Sequence, residues 1–104
     1  MKAYIYLIRT KEYIPGLDYP VYRYRTIETF GDYVPNPNEV IEEVHILDED
    51  SIAEVQYNMR LSFDELNGHE IVKRYKLENG ILYVSVLGED KVFSKWKPLK
   101  YDLV

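Results

Sequence analysis

The sequence contains no cysteine, one glutamine, one tryptophan and two histidines in 104 residues. Its five glycines, at 16, 31, 68, 80 and 88, stand singly. Without cysteine there is no disulfide framework, no thiolate nucleophile and no cysteine-ligated zinc. Isolated glycines exclude a phosphate-cradling glycine-rich loop. His45 and His69 lie 24 residues apart and lack metal-ligand spacing, and no serine sits in a nucleophile-elbow context. No long apolar run occurs, and Met1-Lys2-Ala3-Tyr4 opens into a short alternating segment broken by Arg9, Lys11 and Glu12. Neither a signal peptide nor a membrane span is expected, so the chain reads as soluble and cytoplasmic.

What is present can pack. Apolar residues make up 46% of the chain and aromatics 14%, including eleven tyrosines, which argues against wholesale disorder. The length bounds the chain to a single domain, 1–104. A faint self-similarity runs through it at an offset of about 51 residues. Tyr6-Leu7-Ile8-Arg9 recurs as Tyr57-Asn58-Met59-Arg60, and Val21-Tyr22-Arg23-Tyr24-Arg25 as Val72-Lys73-Arg74-Tyr75-Lys76. With one residue of slippage, Val40, Ile41, Val44 and Leu47 match Val92, Phe93, Trp96 and Leu99. Such a pattern predicts one supersecondary unit used twice, 1–51 and 52–104, each copy covering the apolar face of the other. Half a chain of this length buries too little to stand alone, so the copies should share one core.

Period-two alternation is the strongest local signal. From Ala53 to Phe63 every odd residue is apolar and every even one polar, which predicts a strand with one buried face. A helix competes there: Ser51 and Glu54 match a capping box, and Ile52, Val55, Met59, Phe63 and Leu66 form a helical stripe. The helix leaves Tyr57 and Leu61 on the wrong face, and strand is preferred. Residues 70–78 and 81–87 read as a hairpin about Asn79-Gly80, a pair suited to positive φ at both central positions. Ala3 to Arg9 and Val21 to Thr29 are the matching strands of the first half, joined by a loop from Tyr13 to Pro20. Gly31 to Pro37 is a proline-interrupted loop. The third matched element has helical spacing, and Asn36-Pro37-Asn38-Glu39 resembles a helix start, while Val40, Val44 and Ile46 also fit a strand. The expected fold is mainly β, two antiparallel motifs packed as one domain, with a short helix per motif (α+β) as the open alternative.

Charge is unevenly placed. The net charge of −5 resides in residues 1–51, with five Lys or Arg against ten acids; residues 52–104 carry eight against eight. Between Arg25 and Arg60 there are nine acids and no Lys or Arg, whereas Lys91, Lys95, Lys97 and Lys100 crowd the C-terminal end. These are solvated faces, or they steer copy against copy or subunit against subunit, which would allow a homodimer. Arg23 and Arg25, with Arg74 and Lys76 at the matching positions, read either as cross-strand ion pairs or as two basic stripes on one sheet. With Tyr22 and Trp96 such stripes could follow a single-stranded nucleic acid, although the net charge opposes it. Asp48-Glu49-Asp50 lacks the ligand alternation of a calcium loop, and the adjacent Glu42 and Glu43 diverge. No cofactor, metal or catalytic residue is indicated, and the chain is expected not to be an enzyme.

Eleven tyrosines, abundant Glu, Lys and Ile, one Gln and no Cys resemble proteins of hyperthermophiles. Together with the small size and the apparent duplication, they resemble the orphan proteins of filamentous viruses infecting hyperthermophilic archaea. That resemblance implies a viral accessory protein acting through protein contacts in the host cell cytoplasm. The function expected from the residues is a non-enzymatic protein-interaction module. It would bind a protein or peptide in a groove between the motifs or at a strand edge, with Ala3, Ile5, Leu7 and Trp96 as partner-binding residues. Ala3, Ile5 and Leu7 make the first strand apolar on both faces, so either a partner or the rest of the chain must cover one of them. The alternative is a single-stranded nucleic-acid binder using Tyr22, Arg23, Arg25, Arg74 and Lys76.

Overall fold

A computed structural model describes residues 2–50, 54–61 and 69–99. Among the described residues seven strands follow in order: β1 (Lys2–Glu12), β2 (Val21–Thr29), β3 (Glu39–Asp48), β4 (Val55–Leu61), β5 (His69–Glu78), β6 (Ile81–Val86) and β7 (Lys97–Pro98). They form two antiparallel sheets, β2-β1-β3 and β4-β5-β6-β7, and no helix occurs among the described residues. The protein is mainly β, as expected. No helix among the described residues is long and apolar enough to cross a membrane.

The two sheets close on each other through one core. Ala3, Ile5, Leu7 and Leu47 of the first sheet meet Val55, Tyr57, Met59, Tyr75, Leu77 and Leu82 of the second. The alternation over 55–61 places Val55, Tyr57 and Met59 inward, which answers the helix alternative for those residues; 51–53 and 62–66 lie outside the described ones. Buried polar groups bridge the sheets as well. The Tyr57 hydroxyl donates to the Ile5 carbonyl at 3.0 Å, and the fully buried Tyr75 donates to Glu28 and meets the Thr26 hydroxyl at 2.8 Å. Asn79 and Gly80 have φ of 52° and 73°, the hairpin turn that the dipeptide predicts.

Strand β1 is apolar on both faces because it is central and covered twice. Thr29 at the end of β2 lies beside Tyr4, and Glu39 at the start of β3 lies beside Thr10. Both neighbours run antiparallel to β1, so residues 30–38 must travel back along its length. Residues on the face away from the core are covered there: Ile8 is fully buried and Tyr6 nearly so, with the Tyr33 ring 5.9 Å from that of Tyr6. Pro35 and Pro37 suit this strap, since proline favours extended backbone without needing a hydrogen-bond partner.

The helix-start pattern at Asn36-Pro37-Asn38-Glu39 ends in a strand. Its capping hydrogen bond does form: the Asn36 amide donates to the Glu39 carboxylate at 2.9 Å, and the Glu39 amide to the Asn36 carbonyl at 2.9 Å. The single turn then leads into β3, because Val40, Ile41, Val44 and Ile46 are β-branched and β1 offers a partner along the whole segment. The C-terminal counterpart, 91–99, is also not helical. It folds back beside β6 through the bridge Leu87–Phe93 and the short β7.

The halves therefore share an antiparallel hairpin, β1–β2 and β4–β5, and then diverge. The third element pairs with the first strand in one half and with β6 in the other. At the 51-residue offset Ala3, Ile5 and Leu7, which face the core, correspond to Glu54, Gln56 and Asn58, which are exposed.

Candidate functional site

Strand β3 is an edge strand of ten residues, hydrogen-bonded along one side to β1; among the described residues it has no strand on its other side. A bulge between Leu7 and Ile8 of β1 leaves Glu42 as the extra residue of β3. It fixes which side chains face where. On the core side lie Leu47, buried, and His45, whose ring stands edge-on to Tyr57 at 5.3 Å. Glu43 follows, with its carboxylate 3.5 Å from His45 Nε2. On the opposite face Val44 and Ile46 are 49% and 53% exposed, beside Tyr6 and Tyr4, whose rings stack at 6.3 Å. A long edge with half-exposed β-branched side chains is a template for strand addition, and folded proteins usually blunt such edges. Edge β7 is blunted: it has two residues, and one of them, Pro98, lacks an amide donor.

The start of β3 is anchored rather than open. Glu39 is buried, and its carboxylate accepts from the Tyr33 hydroxyl at 2.7 Å, from the Asn36 amide and from Arg25. These three donors, with Tyr33 the strongest, hold its pKa down to about 2. Tyr33, hydrogen-bonded to that carboxylate, is pushed above the ordinary tyrosine value. Beside this cluster lies an open cleft of about 370 Å³ whose lining includes Thr10, Glu12, Arg23, Tyr24, Arg25 and Asn36. Both of its arginines are engaged, Arg23 with Glu12 at 3.1 Å and Arg25 with Glu39.

The residues expected to bind a partner are dispersed. Ala3, Ile5 and Leu7 lie in the core, packed against the second sheet, and of the three Leu7 also reaches the rim of an open dimple at the seam. Trp96 lies on the far side of the second sheet, where Arg74 and Lys76 approach its ring at 4.9 and 4.7 Å. Arg74 also stacks on Phe93 at 3.8 Å and donates to the buried Ser85 hydroxyl at 3.3 Å. Lys76 pairs with Glu78 at 3.3 Å. Arg23 and Arg25 occupy the outer face of the first sheet and Arg74 and Lys76 that of the second, so the basic residues do not form two stripes on one sheet. Tyr22 is on the opposite face from Arg23 and Arg25, under the Arg9 guanidinium at 5.0 Å. At the seam between the sheets there remains an open dimple of about 300 Å³ lined by Leu7, Tyr24, Asn58 and Glu70.

Val44 and Ile46 were visible as a two-residue period in the sequence, but nothing local distinguishes an edge strand from a central one. Asp48-Glu49-Asp50 ends β3 in a turn, the Asp50 amide donating to the Asp48 carboxylate at 3.2 Å. Among the described residues no group of three or more His, Asp or Glu is placed to hold a metal ion. No known protein family, curated protein or solved structure matches the chain.

Proposed function

We propose that the chain is a non-enzymatic binding module that takes up an extended segment of another polypeptide along the free side of β3. The observation that carries this reading is the pairing of a ten-residue edge with the half-exposed Val44 and Ile46. Main-chain hydrogen bonds to the open edge supply affinity, and alternate side chains of the added strand supply selectivity. The groove between the motifs is a weaker candidate, because the seam is filled by the core and the remaining dimple is small. A single-stranded nucleic-acid site has little support, since the four cations lie on two opposite faces and are held by carboxylates or aromatic rings. The resemblance to viral accessory proteins would set this activity in the cytoplasm of a host cell.

A random peptide library panned against the full chain tests the reading, with the winners assayed on a Val44→Asn/Ile46→Asn variant. Expected are peptides that slow hydrogen exchange in residues 39–48 and no longer bind the variant. Winners that bind both proteins equally, or that protect other strands, would overturn it.

A further inference from the structure

Resting on that strand-addition reading, we infer that the segment taken up by β3 is amphipathic with a period of two, apolar on one face and cationic on the other. The two faces of the edge differ in chemistry. Val44 and Ile46, flanked by the Tyr4 and Tyr6 rings, make the outer face apolar. The core-side face near the edge carries Glu43, more than half exposed, with His45 at 3.5 Å and the Tyr57 phenol within reach of its charge. Glu39 and Glu42 are already answered, by Arg25 and by Arg9 at 2.9 Å. Among the described residues no Lys or Arg pairs with Glu43, and exposed Glu49 and Asp50 close the strand in a stretch that has no Lys or Arg from 26 to 59.

A strand laid at the usual spacing of about 4.8 Å puts its side chains next to those of β3 on both faces. Its outward residues would cover Val44 and Ile46. Its inward residues would meet Glu43 at one point and the 49–50 turn at another. Opposite charges directly across strands attract and like charges repel, so Lys or Arg fits the inward positions and Glu or Asp does not. The same argument disfavours a second copy of this chain as the occupant. Two β3 strands side by side would bring two copies of Glu43 together, with no Lys or Arg on either strand to answer them.

The test uses the full chain and three capped octapeptides: alternating valine and lysine, alternating valine and glutamate, and alternating serine and lysine. Affinity is read by calorimetry and the site by hydrogen exchange. The valine–lysine peptide should protect residues 39–48 and bind at least about tenfold more tightly than the other two. Glu43→Gln/Glu49→Gln, both at exposed positions, should lower its affinity several-fold while leaving the melting temperature in place.

If the valine–glutamate peptide protects β3 as well, strand addition stands and the cationic requirement falls. Equal binding of the serine–lysine peptide without protection of β3 would reduce the effect to charge attraction and overturn the inference. If no peptide protects β3, both readings fall. Protection of residues 39–48 that rises with protein concentration alone would make a second copy the occupant, again against the inference.

Discussion

The hydroxyl of Tyr57, on the second strand pair, donates to the main-chain carbonyl of Ile5 at the centre of the first sheet, 3.0 Å away. A side chain from one half of the chain thus satisfies the backbone of the other, inside a core where an unpaired polar group would be costly. Tyr57→Phe keeps the ring contacts with His45 and Tyr75 but removes this donor. The variant should lose about 1 kcal/mol in urea denaturation with an unchanged slope. No loss would mean that the carbonyl is satisfied elsewhere.

The same phenol predicts an alkaline limit. Burial, and next the charge of Glu43, raise the Tyr57 pKa far above the ordinary tyrosine value. A group raised in the folded state gives stability that is complete below its unfolded pKa, about 10, and is lost as the pH climbs beyond it. Melting temperature should therefore fall above about pH 10 in the wild type and fall less steeply in Tyr57→Phe. Parallel curves for the two proteins would refute this.

Glu39 sets the acid limit, with the opposite sign. Its pKa is depressed to about 2 by Tyr33, the Asn36 amide and Arg25. The stability it gives is present above the ordinary carboxylate value of about 4.5 and drains away as the pH falls toward 2. Glu39→Gln should be less stable than wild type at neutral pH and should flatten the decline between those values. Hydrogen exchange should show the strap, residues 30–38, opening first.

What could be read from the sequence was what neighbours along the chain decide. The inward set Val55, Tyr57 and Met59 follows from alternation, and the Asn79-Gly80 turn follows from the φ values those residues accept. The two apolar faces of β1 were equally visible, yet which part of the chain covers each was not. Covering is decided by a crossing strap and a second sheet far away in sequence. Over residues 36–47 the sequence left helix and strand both open. The Asn36–Glu39 cap is real, but a cap specifies one turn, and pairing with β1 overrode the helical spacing beyond it. The site itself was least legible, because an edge is defined by a neighbour that is missing.

Gly80 gives a direct test of that turn. Its φ of 73° is one that an L side chain rarely adopts, so Gly80→Ala should cost about 1 kcal/mol. Asn79→Ala should be destabilising for the same reason, since Asn79 has φ of 52°. Both variants should speed hydrogen exchange in β5 and β6 more than in β1.

The single tryptophan reports on the outer face of the second sheet. Arg74 lies 3.8 Å from the centre of Phe93 and 4.9 Å from that of Trp96, with one guanidinium nitrogen on Ser85. Ser85 in turn donates to the Ser94 carbonyl at 2.6 Å, so the cation links β5 and β6 to the returning segment 93–96. Arg74→Met preserves bulk and removes both the charge and the hydrogen bond. It should cost about 1–2 kcal/mol, a partly desolvated cation–π contact plus a hydrogen bond, and should change Trp96 emission in the folded protein. Arg74→Lys keeps the charge but cannot stack a planar fork between two rings while reaching Ser85, so it should recover only part of the loss. Full recovery by lysine would show that charge alone, rather than guanidinium geometry, holds the C-terminal segment against the sheet.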